Sequence, residues 1–359
     1  MSQINVNTIT NRDKTGGPNL VGITTVSGNF NVTDNFNVTG VSTISGLTYP
    51  TAGPLSNRNK IINGDMRIDQ RNAGASVTNP AASALYTIDR WWIYGTSATK
   101  FSCQQNAGSV TPPTGFTHYL GFTSSAATAP ASSDIYTFSH KVEGFNTSDF
   151  GWGTANAKTL TLSFWARSSL TGTFGGGLGN SAGNRNYVFS FTISVANTWE
   201  YKTITIPGDT SGTWLSDSGV GIQIYWDLGS GSSQKGTAGS WGSSFYYGPT
   251  GGTNLVGTNG ATFYITGVQL EAGSVATPFE HRSYGQELSL CQRYYLQIVT
   301  FLSATTNFTA LWPSTMRAAP AVTSSGTIFL AGVTPTTTAG WFRDTGSGAV
   351  YNVYVNAEL

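Results

Sequence analysis

Eleven acidic residues occupy positions from which paired-carboxylate chemistry could be drawn: Asp65, Asp69, Asp89, Asp134, Glu143, Asp149, Asp209, Asp217, Asp227, Glu271 and Glu280. Glycoside hydrolysis needs two carboxyl groups about 5–10 Å apart, and the order of residues along the chain selects no pair. Turn and cap duty accounts for most of them. Asp209, for example, lies in Pro207-Gly-Asp-Thr-Ser-Gly212, which is turn chemistry. His118, His140 and His281 are the only histidines, and none pairs at metal-binding spacing. The run Gly175–Gly179 lacks the Lys-Ser/Thr and following helix of a phosphate loop, and reads as a flexible turn. No Gly-x-Ser-x-Gly nucleophile elbow is present. Cys103 and Cys291 match no metal spacing and read as buried free thiols. The expectation is a protein without catalytic residues or cofactor. A structural calcium is the one ion the pattern leaves room for, because jelly rolls tie first and last strands with hard-cation sites. Asn63, Asp65 and Glu271 are the candidate ligands.

The aromatic residues suggest binding rather than catalysis. Residues 229–261 form a long loop rich in Gly and Ser that carries Trp241, Tyr246 and Tyr247, and Trp214 sits in another glycine-bearing turn. Long loops in compact domains are commonly functional. Aromatic rings on them offer platforms for sugars or protein partners, so Trp214, Trp241, Tyr246 and Tyr247 are the candidate carbohydrate-binding residues. Trp91, Trp92, Trp165 and Trp226 fall within strand patterns and read as core.

The elements that must position these residues are β-strands. Of 359 residues only 10% are charged, 44 are glycine and 13% are aromatic. Ser, Thr and Asn supply most of the remaining polarity. That profile disfavours helix and favours strand and turn. Alternation with a period of two runs through 160–165, 187–195, 220–228 and 263–270, where Gly267 marks a bulge. The fold class expected is all-β, with a jelly roll or β-sandwich over 55–282. One short helix, Ser283–Tyr295, and a small β module complete 283–359, with strands near 298–302, 308–311, 321–323, 328–330, 341–343 and 350–355. A net charge of +1 gives no electrostatic case for nucleic acid or an anionic membrane. No apolar run reaches the roughly 18 residues of a membrane span, and the first residues carry no secretory signal.

The N-terminal region is organised differently. Asn-Phe-Asn-Val-Thr occurs at 29–33 and again at 35–39, placing Phe30, Val32, Phe36 and Val38 on one side of a β ribbon. A two-stranded ribbon is marginal alone in water. Several identical chains wound together would cover these side chains, so residues 19–54 are expected to form an intertwined β stalk and linker. Residues 1–18 form an arm expected to dock on a partner.

Several longer segments resemble a domain found in tail fibre and appendage proteins of tailed bacteriophages. They are Arg-Asn-Lys-Ile-Ile-Asn-Gly-Asp-Met-Arg-Ile-Asp-Gln-Arg-Asn-Ala-Gly at 58–74, Tyr86-Thr-Ile-Asp-Arg-Trp91, Thr161–Ser168, Trp199–Trp214, Tyr264–Gly273, Ala276–Glu280 and Leu290–Tyr295. Residues 312–323 and 356–359 resemble the small module that often follows, and Val21–Gly28 resembles stalks of cyanophage structural proteins. The resemblance implies a homotrimeric virion appendage whose jelly roll, similar to carbohydrate-binding modules, contacts polysaccharide of the host envelope. It implies that residues 1–18 join tail or portal proteins, and that the protein is made in the host cytoplasm and resides in the virion. It supplies no catalytic motif. A capsid-decorating or tail structural protein without receptor binding is the alternative, and a polysaccharide depolymerase spike the third.

Overall fold

The computed structural model describes residues 41–44, 47–50, 57–301, 307–324, 328–330, 335–344 and 350–359. Phe30, Val32, Phe36 and Val38 lie outside them, as do residues 1–18. Val41–Ile44 and Leu47–Pro50 pair as a two-stranded sheet.

Residues 57–282 fold as two stacked β-sheets, the sandwich that the period-two patterns predict. The seven-stranded sheet runs in the spatial order Trp241–Gly242, Asn186–Ile193, Gly172–Gly179, Val220–Asp227, Tyr136–Glu143, Trp91–Gly95, Leu85–Ile88. The six-stranded sheet runs Glu200–Ile206, Leu160–Ser168, Thr262–Ala272, Leu120–Ser124, Phe101–Gln105, Val77–Thr78. Every pairing in both sheets is antiparallel. Alternate residues of each strand point between the sheets into one core, including Phe122, Phe138, Leu162, Phe164, Leu178, Phe189, Ile224 and Trp226. At its centre Phe138 stacks on Trp226 at 5.2 Å and on Phe122 at 4.2 Å. The indole of Trp91, also in this core, donates to the Asn63 carbonyl at 2.9 Å.

Two expectations are corrected here. The Gly175–Gly179 run is no turn; it is the interior of a strand paired on both sides. Its glycines let other backbone approach. A Cβ at Gly177 would lie 2.1 Å from the Tyr246 carbonyl oxygen, and one at Gly175 would lie 2.8 Å from the ring of Pro249. The loop after Asp227 therefore folds back over this sheet's outer face. Trp165 is not core either. It alternates with the core residues Phe164 and Ala166 and turns to the outer face of the six-stranded sheet. The bulge is where the sequence places it: the ladder to Leu160–Ser168 shifts register between Thr266 and Gln269, and Gly267 has φ +63°.

The segment 57–60 is stitched to that bulged strand and to the residues just after it. Asn59 Oδ1 accepts from the Leu270 amide at 3.1 Å, its Nδ2 donates to the Val268 carbonyl at 3.1 Å, and Glu280 accepts from the amides of Asn57 and Asn59.

The helix spans Tyr284–Gln292, capped by a reciprocal Ser283–Gln286 box. Glu287, in its first turn, is buried, accepts from the Asn63 amide and pairs with Arg282. The six expected strands beyond the helix form two three-stranded sheets: Tyr295–Phe301, Val350–Asn356, Ala321–Ser324, and Asn307–Leu311, Ala339–Asp344, Ile328–Leu330. Buried Leu296, Trp312, Met316, Val353 and Val355 give this module its own core. Charged groups join it to the sandwich. Arg293 donates to Glu143 at 2.7 Å, Tyr294 donates to the same carboxylate at 2.6 Å, and Glu358 is held between Arg71 and Arg90. Among the described residues no helix is long and apolar enough to cross a membrane.

Candidate functional site

The structure brings Trp214 and Trp241 together at one end of the sandwich and adds Trp152, which the sequence reading missed. Trp152 follows the short 3-10 turn Ser148–Phe150, Trp214 lies in the turn after Asp209, and Trp241 pairs with Tyr187 at the edge of the seven-stranded sheet. The three rings meet edge to face: Trp152–Trp214 at 4.6 Å, Trp152–Trp241 at 5.3 Å and Trp214–Trp241 at 5.7 Å. Each indole N–H donates to a backbone carbonyl, of Lys158, Ser211 and Pro207 respectively. Edge-to-face pairs are favourable beyond their buried area, so the cluster is held without mobile polar partners.

One ion pair braces it. Arg185 donates through Nε and Nη2 to the two oxygens of Asp209, both at 2.7 Å, and its guanidinium lies 5.8 Å from the centre of the Trp241 ring. Asp209 also accepts from the Ser211 amide at 3.1 Å, and its carbonyl accepts from the Gly153 amide at 2.8 Å. The turn residue of the sequence is thus also the fixed point of the tryptophan cluster.

Beside the cluster is a cavity of about 210 Å³. Phe150, Trp152, Trp214, Leu215 and Ile222 give it apolar walls, and Thr147, Ser148, Thr154 and Ser216 bring hydroxyls. No lining residue is ionisable. The cavity therefore offers ring faces and neutral hydrogen-bonding groups, with no carboxylate, imidazole, amine or thiol in its lining. That chemistry suits an uncharged ligand with one apolar face and several hydroxyls. The signal for Trp152 was present in the sequence as Phe150-Gly-Trp-Gly, an aromatic pair among glycines.

Tyr246 and Tyr247 do not join this site. The Tyr246 ring covers Gly236, and Tyr247 packs on Tyr225 and Phe245 at 5.1 and 5.3 Å over the outer face of the seven-stranded sheet. Trp92 belongs to the same layer, 5.5 Å from Tyr225, and not to the core between the sheets.

The carboxylates are spent on structure. Asp69 accepts from the amides of Arg71, Asn72 and Gly74, and Asp227 from those of Gly229 and Ser230. Asp134 and Asp217 hold turns, Asp149 pairs with Lys60 and Asp65 with Arg67. Asp89 accepts from Gln70 through both oxygens, and burial raises its pKa to about 7. The three candidate calcium ligands are engaged separately. Asn63 Oδ1 accepts from the Ile68 amide, and both Glu271 oxygens accept from Thr277. Among the described residues no cluster of three or more His, Cys, Asp or Glu could hold a metal. His140 is buried, with Nε2 3.0 Å from the Ile62 carbonyl, and its pKa is lowered by burial and then by Arg90. Cys103 and Cys291 are buried and unbridged.

What these observations define is an all-β sandwich with an uncharged, aromatic-walled cavity at one end. No family model matches the chain, and no curated protein matches it. Among solved structures, the enzymatically active domain of tailspike protein 4 of bacteriophage CBA120 is similar at 12% identity over 63% of this chain, with a TM-score of 0.31. The match spans 24% of that domain's length. The carbohydrate-binding module TmCBM61 in complex with β-1,4-galactotriose is similar at 11% identity, over 60% of this chain and 99% of the module, with a TM-score of 0.30. The family 11 carbohydrate-binding module of Clostridium thermocellum is similar at 12% identity, over 57% and 98%, with a TM-score of 0.26.

Proposed function

We propose that this chain is a glycan-recognising structural protein of a tailed-phage virion: a homotrimeric tail fibre or appendage, joined to tail or portal proteins through residues 1–18, that holds host-surface polysaccharide without cleaving it. The observation that carries the glycan reading is the uncharged cavity walled by Trp152 and Trp214. Its rings offer a stacking face for a pyranose, its hydroxyls match sugar hydroxyls, and its lining carries no carboxylate. The virion reading is supported by the long segments that resemble phage appendages, which include the motif 58–74 and the bulged strand. Single lectin-like contacts are weak, and three copies per appendage would raise avidity by orders of magnitude.

The test is binding of the purified chain to polysaccharide extracted from the host envelope. Trp214→Ala is expected to weaken binding at least tenfold. Absence of binding would leave the purely structural virion role, and release of new reducing ends from the polysaccharide would replace the binding role with a depolymerase. For the trimer, sedimentation of the parent is expected at three chains, and Phe30→Ser with Phe36→Ser is expected to give monomers. A parent that sediments as a monomer refutes the stalk.

A further inference from the structure

We propose that the outer face of the six-stranded sheet is a second glycan platform, separate from the tryptophan cavity, with Trp165 and Tyr201 as its stacking rings. The inference rests on the glycan reading above and adds a site to it. Trp165 and Tyr201 are directly opposite in the register of neighbouring strands, so both side chains leave the sheet on the side away from the core. Their ring centres are 5.3 Å apart and their planes inclined by 49°. Tyr201 is 44% exposed, one of few large aromatic side chains the sandwich leaves in water. The same strands send Phe164 and Leu162 inward, so this pair of rings lies outside the core between the sheets.

A groove of about 360 Å³ lies over these rings, walled by the segment Ala276–Phe279. That volume is within the roughly 300–1,000 Å³ of small-molecule sites. The wall is fixed in advance. Glu271 accepts from the Thr277 amide at 2.8 Å and from its hydroxyl at 2.6 Å, and Gln269 accepts from the Glu280 amide at 2.8 Å. Phe279 is packed on Phe116 at 5.1 Å. The floor is packed closely at the bulge: at Gly267 a Cβ would lie 2.6 Å from the Phe116 ring and 3.2 Å from the Trp165 ring, so glycine lets both rings rest on the strand. Such preorganisation lowers the ordering cost of binding.

The occupant follows from the lining. None of the groove's residues carries a charge, which disfavours acidic sugars, phosphate and charged peptides. The next outward residue on the strand of Tyr201 is Thr203, whose exposed hydroxyl lies beside the rings; Ser163 opposite it is buried. Aromatic planes beside a neutral hydroxyl fit the apolar face and equatorial hydroxyls of an uncharged pyranose chain. The groove is also larger than the tryptophan cavity, so it suits a run of sugars where the cavity suits one ring.

The experiment is calorimetric titration of the full chain with cellotriose, maltotriose and β-1,4-galactotriose, on the parent and on Trp165→Ala, Tyr201→Ala and Trp214→Ala. The parent is expected to take up two trisaccharides per chain with at least one of the three. Trp214→Ala is expected to keep the site that Trp165→Ala and Tyr201→Ala weaken at least tenfold. Urea midpoints check that each variant is folded. If Trp165→Ala and Tyr201→Ala leave affinity and stoichiometry unchanged while Trp214→Ala abolishes uptake, the platform is refuted and the glycan reading stands. If the parent takes up none of the three, the platform is refuted, and the polysaccharide assay above decides the glycan reading separately.

Discussion

Asp209→Ala should unfasten the tryptophan cavity from a distance. Asp209 is buried at 2% exposure, and both its oxygens bond the Arg185 guanidinium at 2.7 Å. Removing one partner of a buried pair costs about 3–5 kcal/mol, because the other charge is stranded. The Arg185 side chain is 21% exposed and recovers part of its hydration, which brings the expected loss to about 2–4 kcal/mol. The Ser211 amide also loses its acceptor, worth about 1 kcal/mol if it is not rehydrated. Asp209→Asn keeps one oxygen, which can accept from the Ser211 amide and Arg185 Nη2, but turns an NH2 towards Arg185 Nε and removes the charge, so its loss should be only somewhat smaller, about 1–3 kcal/mol. Urea unfolding followed by tryptophan fluorescence measures both. Because Arg185 lies against Trp241, Asp209→Ala should also weaken glycan binding although Asp209 does not line the cavity. An Asp209→Ala variant within about 0.5 kcal/mol of the parent, the usual scatter of surface substitutions, would refute the bracing role.

Two further outcomes follow from buried groups. Burial raises the Asp89 pKa from 3.8 to about 7, so the folded state binds the Asp89 proton more tightly than the unfolded chain does. Its contribution is complete below about pH 4 and is lost as pH rises through about 7; Asp89→Asn should therefore gain stability relative to the parent between pH 5 and pH 8 in urea titrations, and an unchanged difference refutes the assignment. Gly176→Ala would place a Cβ 1.8 Å from the Tyr225 carbonyl and 2.6 Å from the Phe189 ring, and should lower stability by about 1–3 kcal/mol or more; thermal unfolding within a degree of the parent refutes the close packing.

The sequence by itself determined the all-β class, the bulge at Gly267, the helix and the six strands after it. Each of these is a local rule: alternation with a period of two fixes which residues face together, and a glycine inside such a pattern marks a bulge. The same local reading named Trp214 and Trp241, because aromatic residues among glycines stand out in any chain. What it could not give is what meets across the fold. Gly175–Gly179 looks like a turn until Tyr246 and Pro249 are seen resting on it, and only their close approach explains a glycine strand in the middle of a sheet. Trp165 and Trp226 have similar strand contexts, yet one faces outward and the other fills the core, a choice set by which side the second sheet covers. Trp152 joins Trp214 and Trp241 across more than fifty residues of chain. The loops that carry them meet only because the ends of distant strands meet, and in that contact the tertiary structure, not the sequence pattern, made the cavity.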